Sequence, residues 1–110
     1  MNDMSWSALR TDRTLAFRTN QLSGSAQRLL VLLHGVGGNE TNLAPFAETM
    51  PADTRVVLVR APLTLGAGQH AWFQVSFGPQ GPRPDLTAAE SSRQQLVRFI
   101  AELQAEYAAS

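Results

Sequence analysis

The sequence contains no cysteine and no lysine, and both absences exclude classes of function. Without cysteine the chain can form no disulfide, no thiolate nucleophile and no cysteine-based zinc site. Without lysine it cannot form the G-x-x-x-x-G-K-[ST] phosphate-binding loop. Nine arginines balance nine acidic residues, so no net basic field would attract nucleic acid or an anionic membrane.

Long apolar runs and a targeting segment are also missing. No run approaches the roughly 20 apolar residues of a membrane-spanning helix. Met1-Asn2-Asp3 carries no positively charged start of a signal peptide. We therefore expect a soluble, cytoplasmic protein with no membrane span. Its 110 residues suffice for one domain at most.

One apolar stretch dominates what is present, namely Leu29 to Leu33, and His34 and Gly35-Val36-Gly37-Gly38 follow it. Five consecutive apolar residues after the turn-forming Ser23-Gly24-Ser25 predict a strand that is buried on both faces. A helix-compatible segment follows the glycines. The turn would thus present backbone N–H groups at the carboxyl edge of a sheet, where open α/β sheets bind their ligands.

Three functional interpretations compete for this turn. A dinucleotide-binding G-x-G-x-x-G pattern starting from Gly35 and Gly37 would need its third glycine where Glu40 stands. The phosphate-binding loop fails because there is no lysine. An oxyanion loop fits, since a His-Gly-x-Gly turn after a strand aims a backbone N–H at a developing negative charge. The structural alternative is a tight strand-to-helix turn and nothing more.

Periodicity predicts the elements on either side of this turn. Trp6 to Arg10 and Thr14 to Thr19 predict a short hairpin, because apolar residues alternate with others in its second arm. Thr41 or Asn42 would cap a helix that runs to about Met50. The residues expected on its apolar face are Leu43, Phe46, Ala47 and Met50.

The second half of the chain predicts a strand, a loop and a long helix. Arg55 to Arg60 reads as a buried strand parallel to the first, which completes a βαβ unit. Ala61 to Pro84 contains four glycines and four prolines without periodicity, and predicts a long functional loop. Thr87 and Glu90 form a capping box that would begin a helix ending near Ala108. The apolar face of this helix comprises Ala89, Leu96, Phe99, Ile100, Leu103 and Tyr107.

Three motifs together resemble the phospholipase/carboxylesterase family, the acyl-protein thioesterase-like serine esterases among the α/β-hydrolases. They are Leu32 to Glu40, Arg60-Ala61-Pro62 and Ala71-Trp72-Phe73, in family order. The resemblance runs from about Arg28 to Ala108. It departs from the family at Gly38-Asn39-Glu40, where many relatives carry Gly-Asp. It implies an α/β fold, the N-terminal half of an α/β-hydrolase, with a mostly parallel sheet, flanking helices and a short N-terminal hairpin.

The resemblance also implies a function and a set of site residues. The function is that of a serine-dependent carboxylesterase or thioesterase-type hydrolase acting on a small-molecule ester or thioester. The backbone N–H of Val36 would form half of the oxyanion hole, supported by His34, Gly35, Gly37 and Gly38. The pocket would be lined by Leu63, Leu65, Gln69, Trp72 and Phe73. No metal and no organic cofactor is implied, since serine-hydrolase chemistry needs none.

A catalytic triad is not recognisable in these residues. Relatives carry G-x-S-x-G after the last helix, followed by Asp and then His. The nearest match runs from Gln74 to Gly78 and has glutamine in place of the first glycine, so we do not expect Ser76 to be the nucleophile. His34 is expected to hold the loop by hydrogen bonds, His70 precedes the expected serine, and Asp85 is expected to start the last helix. We expect residues 1–110 to be the N-terminal portion of one hydrolase domain, without the nucleophile elbow and the C-terminal half, and inactive alone.

Other interpretations stay open beside the hydrolase. The chain could be a non-catalytic half-domain that serves as a binding or assembly module, or, less well supported, a nucleotide-binding βαβ unit. The edge of the Leu29 to Leu33 strand that a nucleophile strand would cover is expected to recruit a second copy, because unpaired apolar edges bind other strands. We therefore expect a homo-oligomer.

Overall fold

A computed structural model describes residues 5–22 and 26–107 of the chain. Parts of the predictions above fall on Met1-Asn2-Asp3, Ser23-Gly24-Ser25 and Ala108, which lie outside the described residues. In chain order the elements are β1 (Phe17–Thr19), β2 (Arg28–Leu33), α1 (Ala44–Ala47), β3 (Thr54–Val59), β4 (Leu63–Gly66), β5 (Gln69–Ala71), β6 (Val75–Gly78), β7 (Gly81–Pro84) and α2 (Leu86–Tyr107).

The strand β3 lies at the centre of the main sheet, whose order is β1-β3-β2. β2 runs parallel to β3, with Leu29 opposite Arg55 and Leu33 opposite Val59. β1 runs antiparallel to β3 on the other side. The predicted βαβ unit is therefore confirmed, and so is the second strand, although it begins and ends one residue earlier than expected.

The predicted fold class is wrong in its main feature. The described residues form three small sheets, and only the pair β2 and β3 is parallel. α1 has four residues and α2 is the one long helix in the described part of the chain. The mostly parallel sheet with flanking helices, and with it the N-terminal half of an α/β-hydrolase fold, does not describe this architecture. Part of the cause is local, because β4 and β5, and likewise β6 and β7, are joined by short turns, which allow only antiparallel pairing.

The strand β2 differs from its prediction in burial. Its residues are half-buried in the middle and exposed at both ends, whereas β3 is buried at five of six positions. A run of apolar residues predicts burial on both faces, but β2 lies at the edge of the sheet and has β3 as its one strand neighbour in the described residues. Hydropathy does not encode which of two apolar strands becomes central, and in this sheet the central strand is β3.

Alternate residues of β3 face two separate apolar layers. Val57 and Val59 pack with Phe17 and with Phe99 and Leu103 of α2. The rings of Phe17 and Phe99 meet edge to face, with centroids 5.3 Å apart. The other layer comprises the buried residues Ala47, Val56 and Leu58, with Trp6, Leu30, Leu32, Ala44 and Met50 packed against them. α2 therefore covers one face of the sheet and the α1 segment covers the other.

The N-terminal hairpin exists in a reduced form. Arg10 and Phe17 exchange two backbone hydrogen bonds of 2.8 and 3.0 Å, and Trp6 bridges Asn20. The alternation in the second arm is confirmed, since Leu15 and Phe17 are buried. The first arm is held by isolated bridges and forms no strand of its own.

The segment Ala61 to Pro84 is not the aperiodic loop predicted above. It contains two antiparallel hairpins, β4 with β5 and β6 with β7. Gly68 and Gly81, at the turns of these hairpins, have positive φ of 70° and 93°. Glycine adopts this conformation without strain, so the glycines that suggested a loop are the residues that the hairpin turns require. Short strands with little burial lack the alternating pattern by which strands are recognised.

Both helices begin differently from their predictions. Thr41 and Asn42 do not cap α1. The side chain of Asn42 accepts a hydrogen bond from the Asn39 N–H, and Asn39 Oδ1 accepts one from the Thr41 N–H, so a local turn replaces the first helical turn. Pro45 occupies the first turn of α1, where its missing N–H costs little.

The start of α2 is set by Asp85. Its Oδ1 accepts a 3.0 Å hydrogen bond from the Ala88 N–H, so Asp85 caps the helix and confirms the expectation for this residue. The predicted capping box of Thr87 and Glu90 is wrong, since Glu90 pairs with Arg93 instead. In the described ranges, neither helix is long and apolar enough to cross a membrane.

Candidate functional site: the turn after β2

The turn between β2 and α1 is a four-residue reversal built on Gly37. The Gly38 N–H donates to the Gly35 carbonyl over 3.1 Å, which places Val36 and Gly37 at the two central positions. Gly37 has φ of +84°, as the third residue of a type II turn requires. A Cβ at Gly37 would meet no atom within 4 Å, so backbone conformation and not space demands glycine here.

The hairpin β4–β5 holds the far side of this turn. The Gly37 N–H donates to the His70 carbonyl over 2.9 Å, and the His70 N–H donates to the Gly38 carbonyl over 2.8 Å. The Val36 N–H differs from these amides, because it has no acceptor within residues 5–22 and 26–107. Val36 is 56% exposed. The N–H of Gly35 likewise has no acceptor among the described residues, so the turn presents two adjacent backbone donors, of which Val36 lies at the tip.

His34 is buried and holds the near side of the turn. Its Nδ1 lies 2.7 Å from the Gly35 carbonyl oxygen, and its Nε2 accepts a 3.0 Å hydrogen bond from the Ala61 N–H. A carbonyl can only accept and an amide N–H can only donate, so His34 is the neutral tautomer with its proton on Nδ1. Both ring nitrogens are therefore hydrogen-bonded to backbone groups. His34 thus has the positioning role expected for it and offers no free lone pair for general-base chemistry.

An apolar cleft lies beside His34. The indole N–H of Trp72 donates to the His34 carbonyl over 2.9 Å, and the two rings are 5.9 Å apart. The cleft has a volume of about 310 Å³. It is lined by Leu33, His34, Trp72 and Phe73 together with Ala89, Ser92, Arg93 and Leu96 of α2.

The structure brings together some of the predicted site residues and separates others. Trp72 and Phe73 line the cleft with His34, whereas Leu63, Leu65 and Gln69 do not line it. These three lie on the β4–β5 hairpin, which contacts the turn through the backbone of His70. The sequence placed Leu63, Leu65 and Gln69 on a loop around the pocket, and the formation of the hairpin directs this segment to the turn instead.

Glu40 is the site residue that the sequence analysis did not single out. It is 4% exposed and its carboxylate is held by two arginines. Arg60 Nε lies 2.8 Å from Glu40 Oε1, and Arg18 Nε lies 2.9 Å from Glu40 Oε2. Burial opposes the charged form, but the hydrogen bonds from Arg60 and Arg18 outweigh it and lower the pKa of Glu40 to about 2. One signal was present, because Glu40 and Arg60 both lie inside the motifs that carry the family resemblance.

The side chain of His70 is also buried beside the turn. Burial, followed by the positive charge of Arg60, lowers its pKa below the ordinary value. Its Nδ1 lies 3.4 Å from the hydroxyl of Thr64 on the paired strand. His70 is therefore neutral at pH 7 and contributes to the turn through its backbone.

Ser76 lies in a different setting from a nucleophile elbow. It is an exposed residue of β6, opposite Arg83 in the β6–β7 hairpin. An elbow serine sits on a sharp turn between a strand and a helix, whereas Ser76 is followed by two more strand residues and a hairpin turn. The geometry agrees with the expectation that Ser76 is not the nucleophile.

The comparisons with known proteins add no relative. No model of a known protein family matches the chain, and no curated protein sequence matches it. Among the described residues, no group of three or more His, Asp or Glu side chains is placed to hold a metal ion. The assignment of function therefore depends on the geometry of the turn and the cleft.

Proposed function

We propose that this chain provides the oxyanion loop and part of the acyl pocket of a serine-dependent carboxylesterase or thioesterase, similar to the phospholipase/carboxylesterase family. The observation that carries the proposal is the Val36 N–H. It is presented by a turn that requires glycine at position 37 and has no acceptor among the described residues. The N–H of the second residue is outside the hydrogen bond that closes any β-turn, so the proposal also depends on the apolar cleft that adjoins the turn at His34.

The chemistry that such a donor serves is acyl transfer. A serine oxygen attacks the carbonyl carbon of an ester or thioester, the C=O double bond opens, and the oxygen gains a negative charge. A fixed backbone N–H stabilises that charge in the transition state more than it stabilises the neutral carbonyl of the substrate. The alcohol or thiol then leaves, and water later releases the acid from the acyl-enzyme.

The cleft beside His34 supports a substrate with an apolar acyl group. Leu33, Trp72, Phe73 and Leu96 contribute apolar walls, and the volume of about 310 Å³ lies at the lower end of the range for small-molecule sites. His34 borders both the turn and the cleft, since it bonds the Gly35 carbonyl and lines the cavity. A small-molecule ester or thioester would place its acyl group in the cleft and its carbonyl oxygen toward Val36.

A second candidate function is a non-catalytic binding or assembly module. It is favoured by the free edge of β2, which has no second strand neighbour in the described ranges, and by the lack of a G-x-S-x-G motif in the 110 residues. In this case the edge would recruit a second copy of the chain and form a homo-oligomer.

The reading frame after codon 110 distinguishes these two functions. The esterase proposal expects an in-frame G-x-S-x-G, and the continuous protein should hydrolyse p-nitrophenyl esters and react with a fluorophosphonate probe. Gly37→Val should lower kcat by about two orders of magnitude, the scale of losing one oxyanion donor. A continuous protein that is folded, carries the motif and hydrolyses none of a series of esters and thioesters would contradict the proposal.

The isolated 110-residue chain should show no enzyme-like turnover. An oxyanion donor without a nucleophile stabilises an intermediate that does not form, so any hydrolysis should lie orders of magnitude below that of a complete serine esterase. The assay is p-nitrophenyl acetate hydrolysis by the wild-type chain and by Ser76→Ala. Rapid turnover that Ser76→Ala abolishes would show that Ser76 is a nucleophile after all.

A further inference from the structure

Two adjacent residues directly after β3, Arg60 and Ala61, contact the two ends of the turn that carries Val36. The Ala61 N–H donates to His34 Nε2 at the start of the turn. The Arg60 guanidinium binds the Glu40 carboxylate at its end, through Nε at 2.8 Å and through a second nitrogen at 3.2 Å. Arg60 is itself fixed to the sheet, since its backbone N–H donates to the Ala16 carbonyl over 2.8 Å.

Arg18 completes the attachment of Glu40 from a second strand. It lies on β1, which pairs with β3 on the side opposite to β2. Its Nε donates to Glu40 Oε2, the oxygen that also accepts from the second Arg60 nitrogen, so the carboxylate connects the turn to β1 and to the residue directly after β3. A carboxylate bound by two guanidinium groups has few orientations open to it, because each planar group fixes both distance and direction.

We propose that Glu40 is a positioning residue for the oxyanion donor: through Arg60 and Arg18 it fixes the end of the turn and thereby the direction of the Val36 N–H. This inference rests on the proposed function. A single bond at His34 would leave the four residues after it free to rotate about that attachment. With both ends held against β3, and with Gly37 and Gly38 bound to His70, the donor is set before a substrate arrives, which oxyanion stabilisation requires.

The test is amide hydrogen exchange on the 110-residue chain, read at Gly37, Gly38 and His70. Their N–H groups make the hydrogen bonds that define the turn. Glu40→Gln keeps the size of the side chain and removes its charge. We expect exchange at these three amides to become faster by about tenfold or more, because local opening of the turn becomes easier.

Two controls separate positioning from general stability. Glu48→Gln removes an exposed carboxylate at the end of α1 and should leave the three rates unchanged. Leu103→Ala removes core contacts of α2 and should speed exchange in the core strands without a selective effect on the turn. If the three turn amides respond to Glu40→Gln no more than they respond to Leu103→Ala, Glu40 is a stabilising ion pair and the inference is wrong.

A milder variant keeps the test decisive if Glu40→Gln does not fold. Arg60→Lys retains the positive charge but loses the two-nitrogen contact, and should speed exchange at the same amides by a smaller factor. Unchanged exchange in folded Arg60→Lys would overturn the inference.

Because exchange involves no ester chemistry, failure of the esterase assay leaves this result intact. In an active continuous protein Glu40→Gln should lower kcat at unchanged KM, and a rise in KM alone would contradict positioning.

Discussion

At the scale of single residues, buried polar side chains hold the candidate site in place. His34 and Glu40 are both buried, and both use their side chains to hold the turn after β2. Gly37 supplies the backbone conformation between them. Most buried polar side chains in proteins are hydrogen-bonded, and the bonds made by His34 and Glu40 constrain the two ends of the turn.

The positive φ of Gly37 leads to a stability prediction. Gly37→Ala should destabilise the chain by about 1–2 kcal/mol, because a non-glycine residue is strained at φ of +84°. Gly35→Ala is the matched control, since Gly35 lies in the same turn, has no positive φ, and has room for a Cβ that would meet no atom within 4 Å. Urea unfolding of both variants provides the comparison. Equal losses at the two positions would show that the turn tolerates side chains at Gly37.

The Glu40 carboxylate predicts a loss of stability in acid. Its pKa is about 2 in the folded chain against an ordinary value of 4.5. A lowered folded pKa contributes stability that is complete above pH 4.5 and disappears as the pH falls toward 2. The contribution is about 3 kcal/mol at neutral pH.

Denaturant unfolding between pH 7 and pH 2 measures this contribution. Other carboxylates with lowered pKa values, including Glu102 and Glu106, also weaken the wild-type chain in acid. The informative quantity is therefore the difference in unfolding free energy between wild type and Glu40→Gln. It should be largest at neutral pH and should shrink below pH 4.5. A difference that stays constant with pH would mean that Glu40 titrates normally.

At the scale of elements, ends are set by individual hydrogen bonds and lengths by tertiary contacts. α2 extends over 22 residues, and Phe99 and Leu103 on one of its faces pack against the sheet. α1 has four residues and begins only at Ala44, because the side chains of Asn39 and Asn42 close a local turn before it. Similar periodicity therefore gave helices of very different length.

The start of α2 predicts unequal effects for two neighbouring substitutions. Asp85→Ala should destabilise the chain by about 1 kcal/mol, because it removes the hydrogen bond to the Ala88 N–H. Thr87→Ala should change stability by less than about 0.5 kcal/mol, as is typical of an exposed residue that caps nothing. Thermal unfolding followed by circular dichroism measures both. A larger effect at Thr87 would restore the capping box predicted from the sequence.

At the scale of the whole molecule, the main sheet is covered on both faces and open at one edge. α2 and the α1 segment cover the faces of β3. β2 presents its second edge without a strand partner in the described ranges, and Leu33 at its end is 44% exposed. A half-buried apolar strand with a free edge is a surface on which another strand can pair.

The free edge predicts self-association of the 110-residue chain. We expect a dimer or larger oligomer by light scattering, formed by pairing of β2 with β2 of a second copy. Val31→Pro should reduce association, because proline removes a backbone donor from the strand. Adjacent residues of a strand point their N–H groups to opposite edges, so one of Val31 and Leu32 faces β3 and the other faces the free edge. Leu32→Pro is therefore the matched variant: the proline that removes the outward N–H should reduce association, and the other should weaken pairing with β3. A monomer at high concentration would show that this edge does not recruit a partner.

The sequence alone determined those features whose signal is local. The strand Thr54–Val59, the long helix up to Tyr107, the alternation of Leu15 and Phe17 and the cap at Asp85 follow from apolar periodicity and short-range hydrogen bonding. The glycine-rich turn after β2 was also predicted from its residues. In each case the residues that decide the structure lie within a few positions of one another along the chain.

Only the tertiary structure decided which strand is central, how the segment 61–84 folds and what holds the turn. β2 and β3 are both apolar runs, and hydropathy cannot tell an edge strand from a central one. Glu40 lies 22 residues from Arg18 and 20 from Arg60 along the chain, so no local pattern connects them. The three meet because β1 and β3 pair and β3 ends beside the turn, and this pairing of distant segments set the geometry of the candidate site.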